Sequence, residues 1–265
     1  MKKSEKGPVI VIILVLIYLL IPLVVSIIYS MFSNWTGILP KGFTLETYSK
    51  LIRDKEFLAS LGRTIVIAII PILLTIILVL LALFVTAIYF PRLEKYVQII
   101  CMIPYTIQGV ILSVSILSLY VGNPTFLSNR IIMLIGAYCI IILPYIYQGI
   151  RNGMRAVNMP VLLEAAEMLG ASRIYAFFRV IVPNILSAIV VSSLLAVGII
   201  FGDYVLVRNL ASSAWPNVQI YLYQAMKSDS MKSSAVFVII MAVTFAISAV
   251  VLYLRSREGK GRRAQ

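Results

Sequence analysis

Long apolar stretches separated by short polar segments dominate the chain. Each stretch is close to or above the roughly 20 residues that a helix needs to cross a hydrocarbon layer about 30 Å thick. The pattern therefore predicts an all-α membrane protein with a single transmembrane domain over residues 1–265. The six predicted spans are 9–31, 64–90, 97–121, 131–149, 184–207 and 234–254.

Charge asymmetry predicts how these spans are oriented. An even number of spans places both termini on the same side of the membrane. If that side is the cytoplasm, the inner segments carry 14 Lys and Arg and the outer ones 9. Because inner loops are enriched in basic residues, we expect cytoplasmic termini, with Thr44 and Ser212 outside. The run from Val9 to Met31 is too long for a signal peptide, so it should be a retained helix.

Composition excludes several classes of site. Only 12% of residues are charged, against about a quarter in soluble domains. The absence of histidine excludes imidazole metal sites and histidine-based triads. Cys101 and Cys139 lie in apolar runs and should be buried free thiols. The basic residues that give the net charge of +13 flank apolar segments, which fits membrane topology rather than nucleic-acid binding.

Two local patterns refine the predicted helices. In the fifth span, Ala188, Ser192 and Ala196 recur at four-residue spacing, followed by Gly198 and Gly202, and small residues at this spacing allow close helix packing. Proline removes a backbone hydrogen bond that lipid cannot replace, so each proline of a span should face protein or water. These prolines are Pro22, Pro71, Pro104 and Pro144.

The outer segment from Phe32 to Arg63 predicts one short surface helix. Thr44 is a suitable N-terminal cap for the sequence LETYSKL. Leu45, Tyr48 and Leu51 would then lie on one face of that helix. We therefore expect an amphipathic helix at the outer surface.

The inner segment between the fourth and fifth spans is longer than a bundle connection needs. It reads NMPVLLEAAEMLGASRIYAFFRVIVPNI and divides into two short helices. Asn158 and Pro160 are start signals for the first helix, and Gly170 is its stop signal. Ser172 can cap the second helix. Loops of this length are usually functional.

The first of these helices has the features of a docking element. Val161, Ala165 and Met168 form an apolar stripe, with Leu162, Ala166 and Leu169 beside it. Glu164 and Glu167 mark the opposite side. Such a helix suits a groove on a partner protein. The alternative is a helix lying on the membrane surface, but such helices favour Lys and Arg on their polar face.

The spacing of this segment resembles a known family motif. Glu164-Ala165-Ala166 is followed by three residues, then Gly170, nine residues and Val180-Ile181-Val182-Pro183. This is similar to the EAA loop of type I ABC importer permeases, in which Ile and Leu stand where Val180 and Val182 stand here. The outer string GFTLETYSKLIRDKEFLASLGRTI and the string FGDYVL resemble the spermidine and putrescine, 2-aminoethylphosphonate and ferric-iron branch more than the sugar permeases.

The resemblance implies roles for the motif residues. The helix around Glu164 would be a cytoplasmic coupling helix that docks in a cleft of an ATPase. Ala165 and Ala166 would permit close approach, and Gly170 would turn the chain. Glu164 would hold the loop through a basic residue, for which the candidates are Arg173 and Arg179. Pro183 closes the motif.

The resemblance also implies partners. This chain lacks the GxxxxGK[ST] loop that binds the phosphates of ATP. A separate ABC ATPase dimer would therefore carry ATP and Mg²⁺, and this chain is expected to need no cofactor and not to be an enzyme. A second permease subunit, identical or related, would complete the pathway, and an extracytoplasmic solute-binding protein would deliver the solute. The implied solute is a polyamine, a phosphonate or iron.

Asp203 and Tyr204 are candidates for the solute pathway. A carboxylate toward the end of a span is costly unless it is paired or hydrated. Asp203 could line the pathway, lie at headgroup level or pair with Arg208. In the pathway it would suit a cationic solute such as a polyamine. The rival functions are a sugar-type permease and a secondary transporter, although the inverted repeats expected of the latter are not evident.

Overall fold

The computed structural model describes residues 6–34, 41–107, 109–122 and 126–263. The helices are α1 (Lys6–Ser30), α2 (Glu46–Arg53), α3 (Lys55–Ile88), α4 (Glu94–Met102), α5 (Gly109–Tyr120), α6 (Arg130–Ala156), α7 (Met159–Met168), α8 (Arg173–Ala176), α9 (Val182–Asn184), α10 (Leu186–Gly202), α11 (Val218–Ser228) and α12 (Ser230–Arg263). Short 3₁₀ turns occur at Pro91–Leu93, Ile103–Thr106 and Phe126–Ser128, and π turns at Phe177–Ile181 and Val207–Ala211.

The predicted all-α membrane architecture is confirmed. Four helices are long and apolar enough to cross a bilayer alone, and two bent helix pairs bring the number of spans to six when each pair counts as one. The only strands in the described residues are β1 (Phe32–Asn34) and β2 (Lys41–Phe43). They form an antiparallel hairpin in which Phe32 pairs with Phe43. The sequence pattern did not predict this hairpin.

The third span is not the continuous helix predicted over 97–121. The segments Pro91–Thr106 and Gly109–Tyr120 diverge by 103°. Pro104 lies in the 3₁₀ turn that ends the first segment, and Ile107 beyond it has an extended backbone. Because proline has no N–H to continue the hydrogen-bond ladder, the helix breaks here.

The fifth span is shorter than predicted. α10 ends at Gly202, five residues before the expected end, and Asp203 has an extended backbone. At the other end of this span, the segment Arg173–Asn184 meets α10 at an angle of 64°. The bend follows Pro183, since a proline cannot donate the backbone hydrogen bond that a regular helix requires.

The chain divides into two compact units. One comprises residues up to Ala59 together with Tyr221–Phe245, and the other comprises Ser60–Ile220 together with the chain from Ala246 onward. The expectation that 1–265 acts as one transmembrane domain stays a prediction. The predicted basic residues Lys2 and Lys3 lie outside the described residues, as do the side chains of the tail 255–265.

In the first unit, the segment after β2 forms the predicted short helix α2. The Thr44 hydroxyl accepts a hydrogen bond from the Glu46 N–H at 3.1 Å, although helical geometry starts one residue later than a Thr44 cap implies. Leu51 on α2 is buried, whereas Leu45 is exposed. The Tyr221 hydroxyl donates to the Asp54 carboxylate at 2.5 Å, and this hydrogen bond lowers the pKa of Asp54.

In the second unit, α6 and α10 form the central pair of helices. Both are apolar, and each buries one face completely, as the 3.6-residue period requires. The fully buried side chains of α6 are Leu134, Ala137, Tyr138, Ile142, Ile146, Tyr147 and Ile150, and those of α10 are Ala196 and Ile200. Cys101 is buried and Cys139 half-buried, and both are free thiols. This pair provides the rigid frame beside which the candidate site lies.

Candidate functional site

The predicted start and stop signals bound helix α7. Asn158 precedes it with a left-handed backbone (φ +50°), a conformation that asparagine tolerates better than most residues. Pro160 lies in the first turn. At the other end Gly170 has φ +82°, and its N–H donates to the Glu167 carbonyl at 2.9 Å. A β-carbon would be strained in this conformation, so glycine is the natural stop residue.

The second predicted helix follows directly. The Ser172 hydroxyl accepts a hydrogen bond from the Tyr175 N–H at 3.3 Å, as expected of a cap. α8 then passes through the π turn Phe177–Ile181 into α9, where Pro183 lies. Pro183 is half-buried and lies just before α10. The two-helix interpretation of this segment is thus correct, with a π turn inside the second helix.

The ion pair of the loop differs from the expected one. Arg173 pairs with Glu167 rather than with Glu164. Glu167 lies one turn nearer to the Gly170 turn, so its carboxylate reaches across that turn to α8. Glu164 and Arg179 are exposed, and within the described ranges neither takes part in an ion pair.

The two motif alanines lie in different environments. Ala165 is exposed, whereas Ala166 is buried within the chain. An Ala166→Trp substitution would therefore disturb the loop itself before it disturbed any partner. The large apolar side chains with the highest exposed fractions among the described residues lie at the tip of α7, where Met168 is 90% and Leu169, the residue after the helix, is 89% exposed. Sequence reasoning placed both in apolar stripes without recognising this tip.

An ion pair that sequence reasoning missed lies beside the start of α7. Arg151 near the end of α6 donates from Nε (2.9 Å) and Nη2 (2.7 Å) to one carboxylate oxygen of Glu94 at the start of α4. Both residues line a cavity of about 200 Å³ that also contacts Met159 and Pro160 of α7. The 57-residue separation left no sequence signal for this contact.

Two glycines of α6 form a close helix crossing that was also missed. A β-carbon at Gly149 would overlap the side chain of Ser192, and one at Gly153 would overlap the Cβ of Ala188. The small residues predicted in α10 thus pack against a Gly-x-x-x-Gly spacing in α6. That spacing is visible in the string QGIRNG and is a signal that could have been used.

Asp203 is engaged by neighbouring groups of its own chain. It accepts hydrogen bonds from the Tyr138 hydroxyl (3.2 Å) and from the Leu206 N–H (3.1 Å). The alternative of an ion pair with Arg208 is wrong, because the ion pairs of the described residues do not include it. Tyr204 beside it accepts the Arg208 N–H through its backbone carbonyl. A pathway role for Asp203 and Tyr204 stays a prediction.

Comparison with known sequences identifies relatives along most of the chain. A family model described as "Binding-protein-dependent transport system inner membrane component" matches residues 92–258, which include α7 and both helices of the crossing. A protein of Salmonella typhimurium, provisionally named a 2-aminoethylphosphonate transport system permease protein, is 19% identical over 91% of this chain and 90% of its own length. Its Salmonella typhi counterpart is 19% identical over 86% of each chain.

Two solved structures share the fold. One is a bacterial ABC transporter involved in the import of the acidic polysaccharide alginate, with a TM-score of 0.73, 17% identity and 96% coverage of both chains. The other is a bacterial alginate ABC transporter in complex with an alginate pentasaccharide-bound periplasmic protein. Its TM-score is 0.71 at 17% identity, over 96% of this chain and 93% of that one.

Proposed function

The chain belongs to the family of inner membrane components of binding-protein-dependent transport systems, and we propose that it couples to a separate ATPase through α7. It is a multi-pass permease of the type I ABC importer class. The coupling claim concerns Glu164 to Gly170, the part of the chain that resembles the EAA motif. Glu167, rather than Glu164, fastens this helix to α8 through Arg173.

The observation that carries the proposal is the exposed apolar tip of α7. Met168 and Leu169 are almost fully exposed, and they lie directly before the Gly170 turn. Large apolar side chains presented together on a short helix suit a groove in a partner. A span-flanking helix adapted to the lipid surface would instead carry basic residues on its polar face, and α7 carries Glu164 and Glu167.

The packing around α7 supports a mechanical role. α7 follows α6 with only Val157 and Asn158 between them. α6 is locked to α10 at Gly149 and Gly153 and to α4 through Arg151 and Glu94. Closure of the ATPase would move α7, and α6 would carry that movement to α10 and α4. The α6 and α10 spans would therefore move as a pair.

The orientation and partners follow from the same proposal. Both termini and α7 face the cytoplasm, where an ATPase dimer binds ATP and Mg²⁺. Thr44 and Ser212 face outward, toward a solute-binding protein. A second permease subunit, identical or related, supplies the other half of the pathway. The basic character of the inner segments supports this arrangement.

The solute is proposed to be a small molecule of the phosphonate type. Relatives provisionally named for 2-aminoethylphosphonate transport match nearly the whole chain, although at 19% identity. A polyamine is less well supported, because Asp203, the carboxylate that suggested a cation, is already bound by Tyr138 and the Leu206 N–H.

The test is to place a charge on the tip of α7. Leu169→Asp and Met168→Asp should each reduce recovery of the ATPase with the purified permease, because a carboxylate would have to lose its hydration in an apolar groove. Stimulated ATP hydrolysis and uptake should fall together with complex recovery. The amount of permease inserted in the membrane should not change, since the six spans are untouched.

Phe126→Asp is the matched control. Phe126 is also a large exposed side chain (79%), but it lies in the connection before α6, at the opposite end of that helix from α7. This variant should retain ATPase binding and hydrolysis. If the α7 variants bind the ATPase as well as the parent does, α7 is not the coupling element.

A further inference from the structure

A cavity lies beside the α6–α10 crossing. Its volume is about 470 Å³, which is within the range of small-molecule sites. The lining includes Ala156 and Val157, the residues just before the α7 junction. The polar side chains of the lining that matter here are Tyr105, Tyr145, Gln148, Asn152, Asn184 and Ser187.

The lining offers hydrogen bonds without net charge. Among the described residues that line the cavity, none is Asp, Glu, Lys or Arg. Gln148 and Asn152 are one helical turn apart on α6, so both amides project on the same side. Tyr105 and Tyr145 pack edge to face, with ring centroids 5.0 Å apart. The nearby Arg151 is neutralised by Glu94.

One wall of the cavity has a fixed shape. Gly149, Gly153, Ala188 and Ser192 all belong to the lining and also form the close crossing. None of the four carries an ionisable group, and the one hydroxyl among them, that of Ser192, donates to the Ala188 carbonyl of its own helix. The cavity therefore keeps its uncharged amide and hydroxyl surface when the two helices move together.

We propose that this cavity admits solutes that carry no net charge, either uncharged polar molecules or molecules whose own positive and negative groups cancel. A solute with net charge would lose hydration on entry and would meet no opposite charge in compensation. A polyamine cation is thus disfavoured by the cavity itself. Placing the cavity on the inward solute path rests on the proposed function. Its charge selectivity does not.

Thiol labelling of the purified chain tests this selectivity without an ATPase or a binding protein. Ser187→Cys introduces an exposed thiol in the cavity wall, in a background in which Cys101 and Cys139 are replaced by alanine. The probes are three methanethiosulfonates bearing a neutral methyl, a cationic trimethylammonium or an anionic sulfonate group. Each rate is divided by the rate of the neutral probe at the same position, which removes differences in thiol reactivity.

The reference is Ser172→Cys, an exposed position outside the cavity. For both charged probes, we expect the normalised labelling rate at position 187 to be lower than that at position 172 by a factor on the order of ten. Asn152→Asp should then accelerate the cationic probe and slow the anionic one at Cys-substituted position 187. Gln224→Glu, which adds the same charge on the exposed surface of α11, should leave these ratios unchanged.

Equal ratios at positions 187 and 172 would overturn the proposal. The proposal would also be overturned if Asn152→Asp and Gln224→Glu gave the same normalised labelling rates at position 187. The amides of the cavity would then not control the entry of charged probes. The outcome is separate from the coupling test. If the cavity discriminates but α7 variants bind the ATPase normally, the proposed function fails and the selectivity stands. If the ATPase test succeeds and the cavity does not discriminate, only the cavity proposal fails.

Discussion

Glycine serves opposite purposes at the tip of α7 and at the crossing of α6 with α10. Gly170 has open space around it, with no atom near the position of a β-carbon, and its requirement is a backbone with φ +82°. Gly149 and Gly153 lie within α6, where the close approach of α10 leaves no room for a side chain. The first kind of glycine shapes a loop, whereas the second joins two spans. A substitution should therefore misplace α7 at the first position and separate two helices at the other two.

The largest effect is expected at the crossing. Gly153→Leu would force the Ala188 side chain and the α10 backbone away, at a cost of about 3 kcal/mol or more, which is the upper range for overpacking. The yield of monodisperse protein and its melting temperature in detergent should both fall. Gly136→Leu is the control on the same helix, because Gly136 is exposed and a β-carbon there would meet no atom of another element within 4 Å. Equal loss in the two variants would show that the crossing is not a special contact.

The next effect is expected at the turn. Gly170→Val should leave the melting temperature nearly unchanged but reduce ATPase stimulation and uptake several-fold, since the left-handed backbone costs a β-branched residue at least roughly 1–2 kcal/mol. Gly170→Asn should retain much more activity, because asparagine enters this conformation more readily. If valine and asparagine behave alike, the backbone conformation of Gly170 is not what positions α7.

The smallest effect is expected at the ion pair between the two regions. Glu94→Arg should weaken coupling between ATP hydrolysis and uptake, and the double variant Glu94→Arg with Arg151→Glu should recover part of it. A coupling energy of about 1 kcal/mol is expected, because Glu94 remains partly exposed. The matched control is the swap of Glu46 and Lys50, an exposed pair on α2 that should not affect activity. Arg151→Glu alone completes the cycle. If the loss of coupling in the double variant equals the sum of the losses in the two single variants, the ion pair does not transmit the movement of α7.

The two regions also differ in how well the sequence predicts them. The bounds of α7 depend on neighbours within a few residues, so Asn158, Gly170 and Ser172 could be assigned from turn and cap chemistry alone. The partner of Arg173 could not, because Glu164 and Glu167 lie on the same helix and only the geometry of the turn selects one. Small residues in α10 predicted close packing, but their partners on α6 are defined only by the fold.

The breaks in the spans show a further limit of sequence reasoning. A hydropathy pattern shows how long an apolar stretch is but not whether the helix axis changes direction within it. The pattern therefore predicted one helix over 97–121 despite Pro104. The bend there depends on a 3₁₀ turn and an extended residue that follow the proline. Asp203 is a similar case, since its hydrogen bond with Tyr138 joins residues 65 positions apart. Such long-range polar contacts give no signal in the sequence, although here they exclude only the ion pair with Arg208.

Photo-crosslinking from the tip of α7 tests the central claim most directly. Leu169 is replaced by p-benzoylphenylalanine, and irradiation of membranes that contain the assembled transporter captures whatever lies against this position. We expect a crosslink to the ATPase subunit from position 169 and none from position 126, where Phe126 is replaced by the same group. An assembled, transporting complex that gives no ATPase crosslink from position 169, or an equal one from position 126, would contradict the assignment of α7 as the coupling helix.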